Sequence, residues 1–316
     1  MTGKAKYPCD MHTHSNRSDG NDSPQALIDL AVERGLRVLV LSDHDVRPPK
    51  QIEIDGRTID PVEYAASRGL IFIPGIEFSC DTENDDVHIV GIGCDFDSPA
   101  MQEAERFAEN SKVNGYRRLT EILCEHDIKV TWQDILDNHG QPRRPEEVQR
   151  KHVFEAIAAA GYTKTWAEAK LMVRDNPVFN VKREKIDPRR AIEMIRQSGG
   201  LAILAHPYLI DEETNVDGAA MPRAAYIDRL IEAGLSGIEA CYTYPKTSYK
   251  GTMTPGEIEQ EIRQRYESRV AIISGGSDYH HDGLKGVANQ RELGEAGITW
   301  DYFRANSLLQ RFIPAG

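Results

Sequence analysis

Short apolar runs alternate with polar, proline-marked stretches along much of the chain. Val38 to Leu41, Leu70 to Ile73, His88 to Ile92, Leu201 to Leu204, Gly237 to Ala240 and Val270 to Ile273 are rich in β-branched or aliphatic residues. Runs this short and this apolar are the pattern of buried strands. A further apolar lead-in, Tyr7 to Met11, opens the series. Between the runs, a capping side chain precedes proline at Ser23-Pro24, Asp60-Pro61, Ser98-Pro99, Asp187-Pro188 and Thr254-Pro255. The oxygen of such a residue accepts an otherwise orphaned helix amide, and proline fits the first helical position because its missing N–H is not needed there. Glu257 is spaced to complete a capping box with Thr254, and Gly35 is placed to close the first helix. Strands alternating with capped helices predict a parallel α/β fold, and about seven strands predict a barrel or near-barrel.

One segment breaks the rhythm. From residue 98 to 185 the pattern is helical throughout, with one long stretch (Ala100 to His126) and shorter ones at Trp132 to Asn138, Pro145 to Ala160 and Thr165 to Val173. We expect a barrel built from residues 1–97 and 186–316, with 98–185 inserted as a small helical domain over its mouth.

The polar residues that follow the strands carry the chemistry. His12 and His14 are two apart, so in extended backbone their imidazoles leave the same face. His44, Glu77, His206, Asp278 and His280 all come just after other apolar runs, and Glu239 stands near the end of one. Barrel active sites gather at such strand ends. His88 opens its strand, but the link from Glu77 (CDTENDD) is too short and polar for a helical crossover. A hairpin there would bring His88 to the same rim.

Composition narrows the function. The net charge of −12 over 316 residues argues against a surface that holds long nucleic acid, which needs Lys and Arg against phosphates. No run approaches a membrane span, and MTGKAKYPCD lacks an apolar signal core. Five cysteines, odd in number and without a CxxC pair, suit reduced thiols in a cytoplasmic protein. No obligate protein partner is evident. Arg143, Arg144, Arg150, Lys151 and His152, with Lys182 and Arg183, form the most basic stretch of the acidic chain. Arg150, His152 and Lys182 are the expected phosphate contacts, because the first two precede an apolar helix face (VFEAIAAAG) that should pack down onto the barrel.

Taken in order, DMHTHSNRSDG, SDHD, PGIEFS, HIVG, AHP, GIE and GSDYH, with a helical insertion before AHP, resemble the polymerase and histidinol phosphatase (PHP) family of metal-dependent phosphoesterases. The resemblance covers nearly the whole chain. It implies a distorted (β/α)7 barrel and three divalent metal ions. One ion would sit on His12, His14, Glu77 and Asp278, a second on Glu77, His88 and His206, and a third on Asp19, His44 and His280. Within the family the chain is most similar to the subgroup that hydrolyses 3′,5′-nucleotide bisphosphates or trims 5′-phosphorylated RNA. It departs from that subgroup at AHPYLI (Ala205 to Ile210) and at NPVFNVKREK, where the nucleotide pocket is shaped.

Imidazole and carboxylate without thiolate suit Mn²⁺, Fe²⁺ or Zn²⁺. The expected nucleophile is a metal-bridging hydroxide held by Glu77 and Asp278, since a shared ion pair lowers the pKa of water toward neutrality. Asp43, Asp45 and Glu239 are expected to orient histidines, Tyr242 and Tyr244 to line the pocket, and His281 to lie at the surface. His126 and His139 are expected to be structural. The function that follows is hydrolysis of a phosphate ester of a small substrate: a cyclic sugar-phosphate diester, a monoester or a nucleoside 3′,5′-bisphosphate. The alternatives are a 5′-phosphate-dependent exonuclease on short oligonucleotides and a non-catalytic scaffold module.

Overall fold

In the structure, a computed structural model, the apolar runs become the strands of one sheet. It describes residues 3–314 except 82, 85, 86, 138, 139 and 141, with the side chain of Lys285 also outside the description. Strand β1 (Cys9–Asp10) leads to helix α1 (Pro24–Arg34) and β2 (Val38–Leu41). A small hairpin of β3 (Ile52–Ile54) and β4 (Arg57–Ile59) precedes α2 (Pro61–Ser67), β5 (Ile71–Ser79) and β6 (His88–Ile92). Helices α3 (Pro99–Glu125), α4 (Trp132–Asp137), α5 (Arg150–Ala159), α6 (Trp166–Asp175) and α7 (Pro188–Gln197) follow, then β7 (Leu201–Leu204). A second hairpin, β8 (Glu213–Val216) and β9 (Ala219–Pro222), leads through α8 (Arg223–Glu232) to β10 (Gly237–Cys241), α9 (Pro255–Tyr266), β11 (Ile272–Gly275) and α10 (Trp300–Ala305).

Seven strands pair in the order β1-β2-β5-β6-β7-β10-β11. All neighbours run parallel except around β6, which is antiparallel to both β5 and β7. The two edges approach each other through Met11 N–H to Gly275 O at 3.2 Å, Asp278 N–H to His12 O at 2.9 Å and His14 N–H to Tyr279 O at 2.9 Å. The result is a nearly closed, distorted barrel. Each strand is buried on both faces, as its continuous apolar run requires. In β2, Val38 and Val40 join the cluster that includes Met11, Ile73, Val90 and Ile203, while Leu39 and Leu41 point the other way into Leu27, Ile28 and Phe72.

The caps form as their residues dictate. Ser23 accepts from Ala26 N–H, Asp60 from Val62 N–H, and Thr254 and Glu257 make the reciprocal box. Gly35 ends α1 with φ 78°, a left-handed conformation that costs glycine little.

Two strand boundaries differ from expectation. The run at Leu70 to Ile73 continues to Ser79, because β6 pairs antiparallel with its second half from Gly75↔Ile92 to Ser79↔His88. Glu77 therefore lies inside a strand and not beyond one, and the hairpin brings His88 to the same rim. The last strand shifts from Val270–Ile273 to Ile272–Gly275. The hairpins β3-β4 and β8-β9 were not anticipated, although each turns on an Asp-Gly pair with positive φ (Asp55-Gly56, Asp217-Gly218), a hairpin signal in sequence.

The chain forms two compact units, residues 1–105 with 186–316 and residues 106–185, so that the boundary falls inside α3. The second unit has its own apolar core of Leu119, Leu123, Ile135, Val153, Phe154, Ile157 and Phe179. The apolar face of α5, expected to pack onto the barrel, finds its partners within this unit.

Candidate metal centre

Backbone locking aims the first two imidazoles. Thr13 Oγ1 donates to Val40 O at 2.6 Å, which fixes the extended segment and turns His12 and His14 to the opposite side. Both rings are buried, with their Nε2 atoms 3.1 Å apart. Each Nε2 also lies 3.1 Å from Glu77 Oε2, and His14 Nε2 lies 3.1 Å from Asp278 Oδ1. His12 Nε2 is 3.6 Å from that same oxygen.

Glu77, fully buried, is the hub. Its Oε2 also faces His44 Nδ1 at 3.2 Å, while its Oε1 faces His88 Nδ1 at 3.0 Å and His206 Nε2 at 3.3 Å. The centre opens to solvent on one side, where Asp19 Oδ1 meets His280 Nε2 at 3.0 Å, with His14 Nδ1 at 3.8 Å and His44 Nε2 at 4.0 Å. The Asp19 side chain is 54% exposed, whereas that of Glu77 is 1%. The ligand atoms fall into three groups: His12, His14, Glu77 and Asp278; His44, Glu77 and His88; His14, Asp19, His44 and His280. His44 thus stands between two groups, a position the resemblance did not imply.

These residues fit divalent cations. Among the described residues, buried Glu77 Oε2, His14 Nδ1, His44 Nδ1 and His206 Nδ1 make no hydrogen bond of good geometry despite these close approaches, a costly arrangement for polar atoms unless a cation satisfies the group. Donors bound to one cation at about 2.0–2.2 Å stand roughly 3 Å apart, the spacing found around Glu77. Burial pushes the Glu77 carboxyl up, but the facing His12, His44 and His88 hold it well below its usual range. Asp278 is likewise pushed up by burial and held well below its usual range by His280, His12, His14 and Arg291.

A second layer fixes the first. Asp10, wholly buried, accepts from Ser277 N–H at 2.9 Å, Ser277 Oγ–H at 2.5 Å and Gly294 N–H at 2.8 Å, tying the first motif to the last. Glu239 Oε2 accepts the His206 N–H at 2.8 Å and its Oε1 faces His12 Nδ1 at 3.4 Å, so it does orient a histidine. Asp43 does not. It accepts from Ser15 N–H and from the Ser15 and Ser18 hydroxyls at 2.7–2.8 Å, and so fastens the loop that carries Asp19. Asp45 accepts the Ser79 N–H at 3.0 Å and braces the end of β5. His280 Nδ1 lies 2.8 Å from Asp278 O, an interaction that leaves Nε2 for Asp19. His206, Asp278 and Asp45 adopt positive φ of 29°, 51° and 53°, so three residues at the site hold left-handed backbone.

The remaining expectations divide. Tyr242 donates its hydroxyl to Asp278 Oδ2 at 2.7 Å, and Tyr244 is a packing residue whose hydroxyl accepts the Tyr208 N–H at 3.3 Å. His281 is half-buried and engages Asp22 Oδ1 at 2.8 Å through Nδ1. His126 sets its ring edge-on to Phe179, and His139 lies outside the described residues. Arg150, His152 and Lys182 belong to the 106–185 unit. There His152 Nδ1 accepts the Gln149 N–H at 3.1 Å and its ring lines, with Arg143, a pocket of about 570 Å³. Arg150 is exposed, its guanidinium 5.9 Å from the Phe154 ring centre, and Lys182 is exposed. Arg291 was missed. It sits in a loop without periodicity, and no sequence signal points to it.

Comparison with known proteins places this arrangement. The PHP domain model matches residues 10–197. A 5′-3′ exoribonuclease of Salmonella typhimurium is 31% identical over 206 residues, a match covering 63% of this chain and 64% of that protein. The chain thus spans less than two-thirds of that relative's length. A 3′,5′-nucleoside bisphosphate phosphatase of Chromobacterium violaceum is 28% identical over 286 residues, covering 88% of each. Among solved structures, a Bifidobacterium adolescentis protein proposed to be a metal-dependent phosphoesterase has the same fold, with a TM-score of 0.61 and 21% identity over 96% of this chain and 95% of that one.

Proposed function

The chain belongs to the PHP family, and on that premise we propose that it is a metal-dependent phosphoesterase acting on a small phosphorylated molecule. The observation that carries this reading is the hub at Glu77, one buried carboxylate faced by five imidazoles. Such a group is costly unless cations hold it, which supports the metal-dependent reading; a metal-stabilised scaffold would differ by showing no turnover. His12, His14, Glu77 and Asp278 would hold one ion, Glu77, His88 and His206 a second, and Asp19, His44 and His280 a third. Mn²⁺, Fe²⁺ or Zn²⁺ there would supply Lewis acidity and acidify a water molecule.

The chain's own residues do the rest. Glu77 and Asp278 would act by holding the ions that carry the attacking water. Asp19 and His280, at the open side, mark where a phosphate enters. Arg150, His152 and Lys182 are our proposed contacts for further phosphate oxygens, since arginine's planar fork can hold two at once. A nucleoside 3′,5′-bisphosphate, a phosphomonoester and a cyclic sugar-phosphate diester all suit this chemistry, and the relative matched over 88% of both chains favours the first. A second reading, removal of nucleotides from short 5′-phosphorylated RNA, is favoured by the exoribonuclease relative. Five free cysteines accord with a reducing, cytoplasmic setting.

The test is phosphate release by Mn²⁺-loaded protein across bisphosphates, sugar phosphates, cyclic phosphates and short RNAs. Release from a small phosphate ester supports the first reading. Turnover of RNA alone supports the second, and no turnover anywhere overturns both.

A further inference from the structure

Asp278 has two carboxylate oxygens with different surroundings. Oδ1 faces His14 Nε2 at 3.1 Å, His12 Nε2 at 3.6 Å and His280 Nδ1 at 3.4 Å. Oδ2 points the other way and accepts from the Tyr242 hydroxyl and from Arg291 Nη1. Arg291 is not loose. Its Nε donates to Asp282 Oδ2 at 2.8 Å and its Nη2 lies 3.3 Å from Asp282 Oδ1, so the far edge of the guanidinium is anchored on a second carboxylate. The Arg291 side chain is 15% exposed and that of Asp282 is 11%.

We propose that Arg291 is a positioning residue for the metal centre: anchored on Asp282, it locks Asp278 Oδ2 so that Oδ1 alone is presented to the ion shared with His12 and His14. This rests on the metal-dependent reading above. A carboxylate free to turn about its own axis could offer either oxygen, or both, and would lose rotational freedom on binding. Two donors on Oδ2 remove that freedom in advance. The geometry needs a planar fork, because one end must hold Asp282 while the other reaches Asp278, and a lysine ammonium is a single point of charge. The two carboxylates and the guanidinium together keep one net negative charge, so the arginine does not cancel the attraction of the site for a cation. Asp278 has φ 51°, a conformation that persists only where its surroundings hold it. Arg291 and Tyr242 are among those surroundings.

The experiment is calorimetric titration of Mn²⁺ into metal-free wild type, Arg291→Lys, Asp282→Asn, Asp278→Asn and the Arg291→Lys/Asp278→Asn double variant, with circular dichroism and melting curves on each. We expect Arg291→Lys to weaken the tightest Mn²⁺ site by about 10- to 100-fold, the range for groups that orient metal ligands. Asp282→Asn should weaken it in the same direction by less. In the Asp278→Asn background, Arg291→Lys should make little further difference, because the carboxylate that Arg291 holds is replaced by a neutral amide. A purely structural arginine would lower the melting temperature equally in both backgrounds and leave Mn²⁺ affinity alone. Wild-type affinity in folded Arg291→Lys, or an equal loss in both backgrounds, overturns the inference. If wild type itself takes up no Mn²⁺, the metal-dependent reading falls, and this inference with it.

Discussion

The backbone N–H of His206 donates to the Glu239 carboxylate at 2.8 Å. His206 has φ 29°, so this bond holds a strained backbone, while the other Glu239 oxygen faces His12. One side chain on β10 therefore places two imidazoles. Glu239→Ala should cost about 1–3 kcal/mol in urea unfolding, the penalty of leaving a buried donor unpaired, and reduce turnover by about 10- to 100-fold. Glu239→Gln keeps an acceptor for the amide and should recover most of the stability. Equal stability of the Ala variant and wild type would remove Glu239 from this role.

Metal removal should destabilise the fold. Like-charged carboxylates and crowded imidazoles around Glu77 would be relieved by a cation bound to the native state alone. We expect a chelator to lower the melting temperature and Mn²⁺ to restore it. A melting curve indifferent to both argues against any resident ion.

Ligand substitutions separate chemistry from binding. His14→Ala and Asp278→Ala should each abolish turnover. Arg150→Ala should mainly raise KM, leaving kcat within a few-fold, if its guanidinium binds a substrate phosphate. Near-normal kcat in Asp278→Ala with full metal occupancy would falsify the ligand assignment.

Asp10 binds no ion in this scheme, yet its loss should be severe. Its carboxylate accepts from residues 277 and 294, far along the chain. Asp10→Ala strands those donors in the core and should cost about 1–3 kcal/mol for each buried donor left unpaired. Asp10→Asn, which can still accept at one oxygen, should cost less. Denaturant midpoints of the two variants give the comparison.

The residues of the candidate centre are readable in the sequence because barrel sites gather at strand ends, and the strands announce themselves by their β-branched runs. Each Ser, Asp or Thr before proline likewise starts a helix for a local reason. What escapes is decided by distant partners. The length of β5 depends on its pairing with β6, which no window around Leu70 contains. Asp43 reads as a histidine's companion because it precedes His44, yet its oxygens turn to Ser15 and Ser18. Arg291 reaches Asp278 across a loop with no repeat to betray it. The hairpin turns at Asp55-Gly56 and Asp217-Gly218 are local, and the Asp-Gly pair alone signals them.

The seam that closes the barrel runs through the candidate centre: His12 O accepts from Asp278 N–H, and His14 N–H donates to Tyr279 O. On the ribosome, the residues from His12 to His206 emerge long before Asp278 and His280. A growing chain therefore presents most of its imidazoles with no seam and an unfinished ring. Ring closure and completion of the group that contains Asp278 therefore coincide, because the same segment makes the seam and carries that carboxylate. Truncation upstream of Asp278 would release a barrel that is both open and unable to complete its centre.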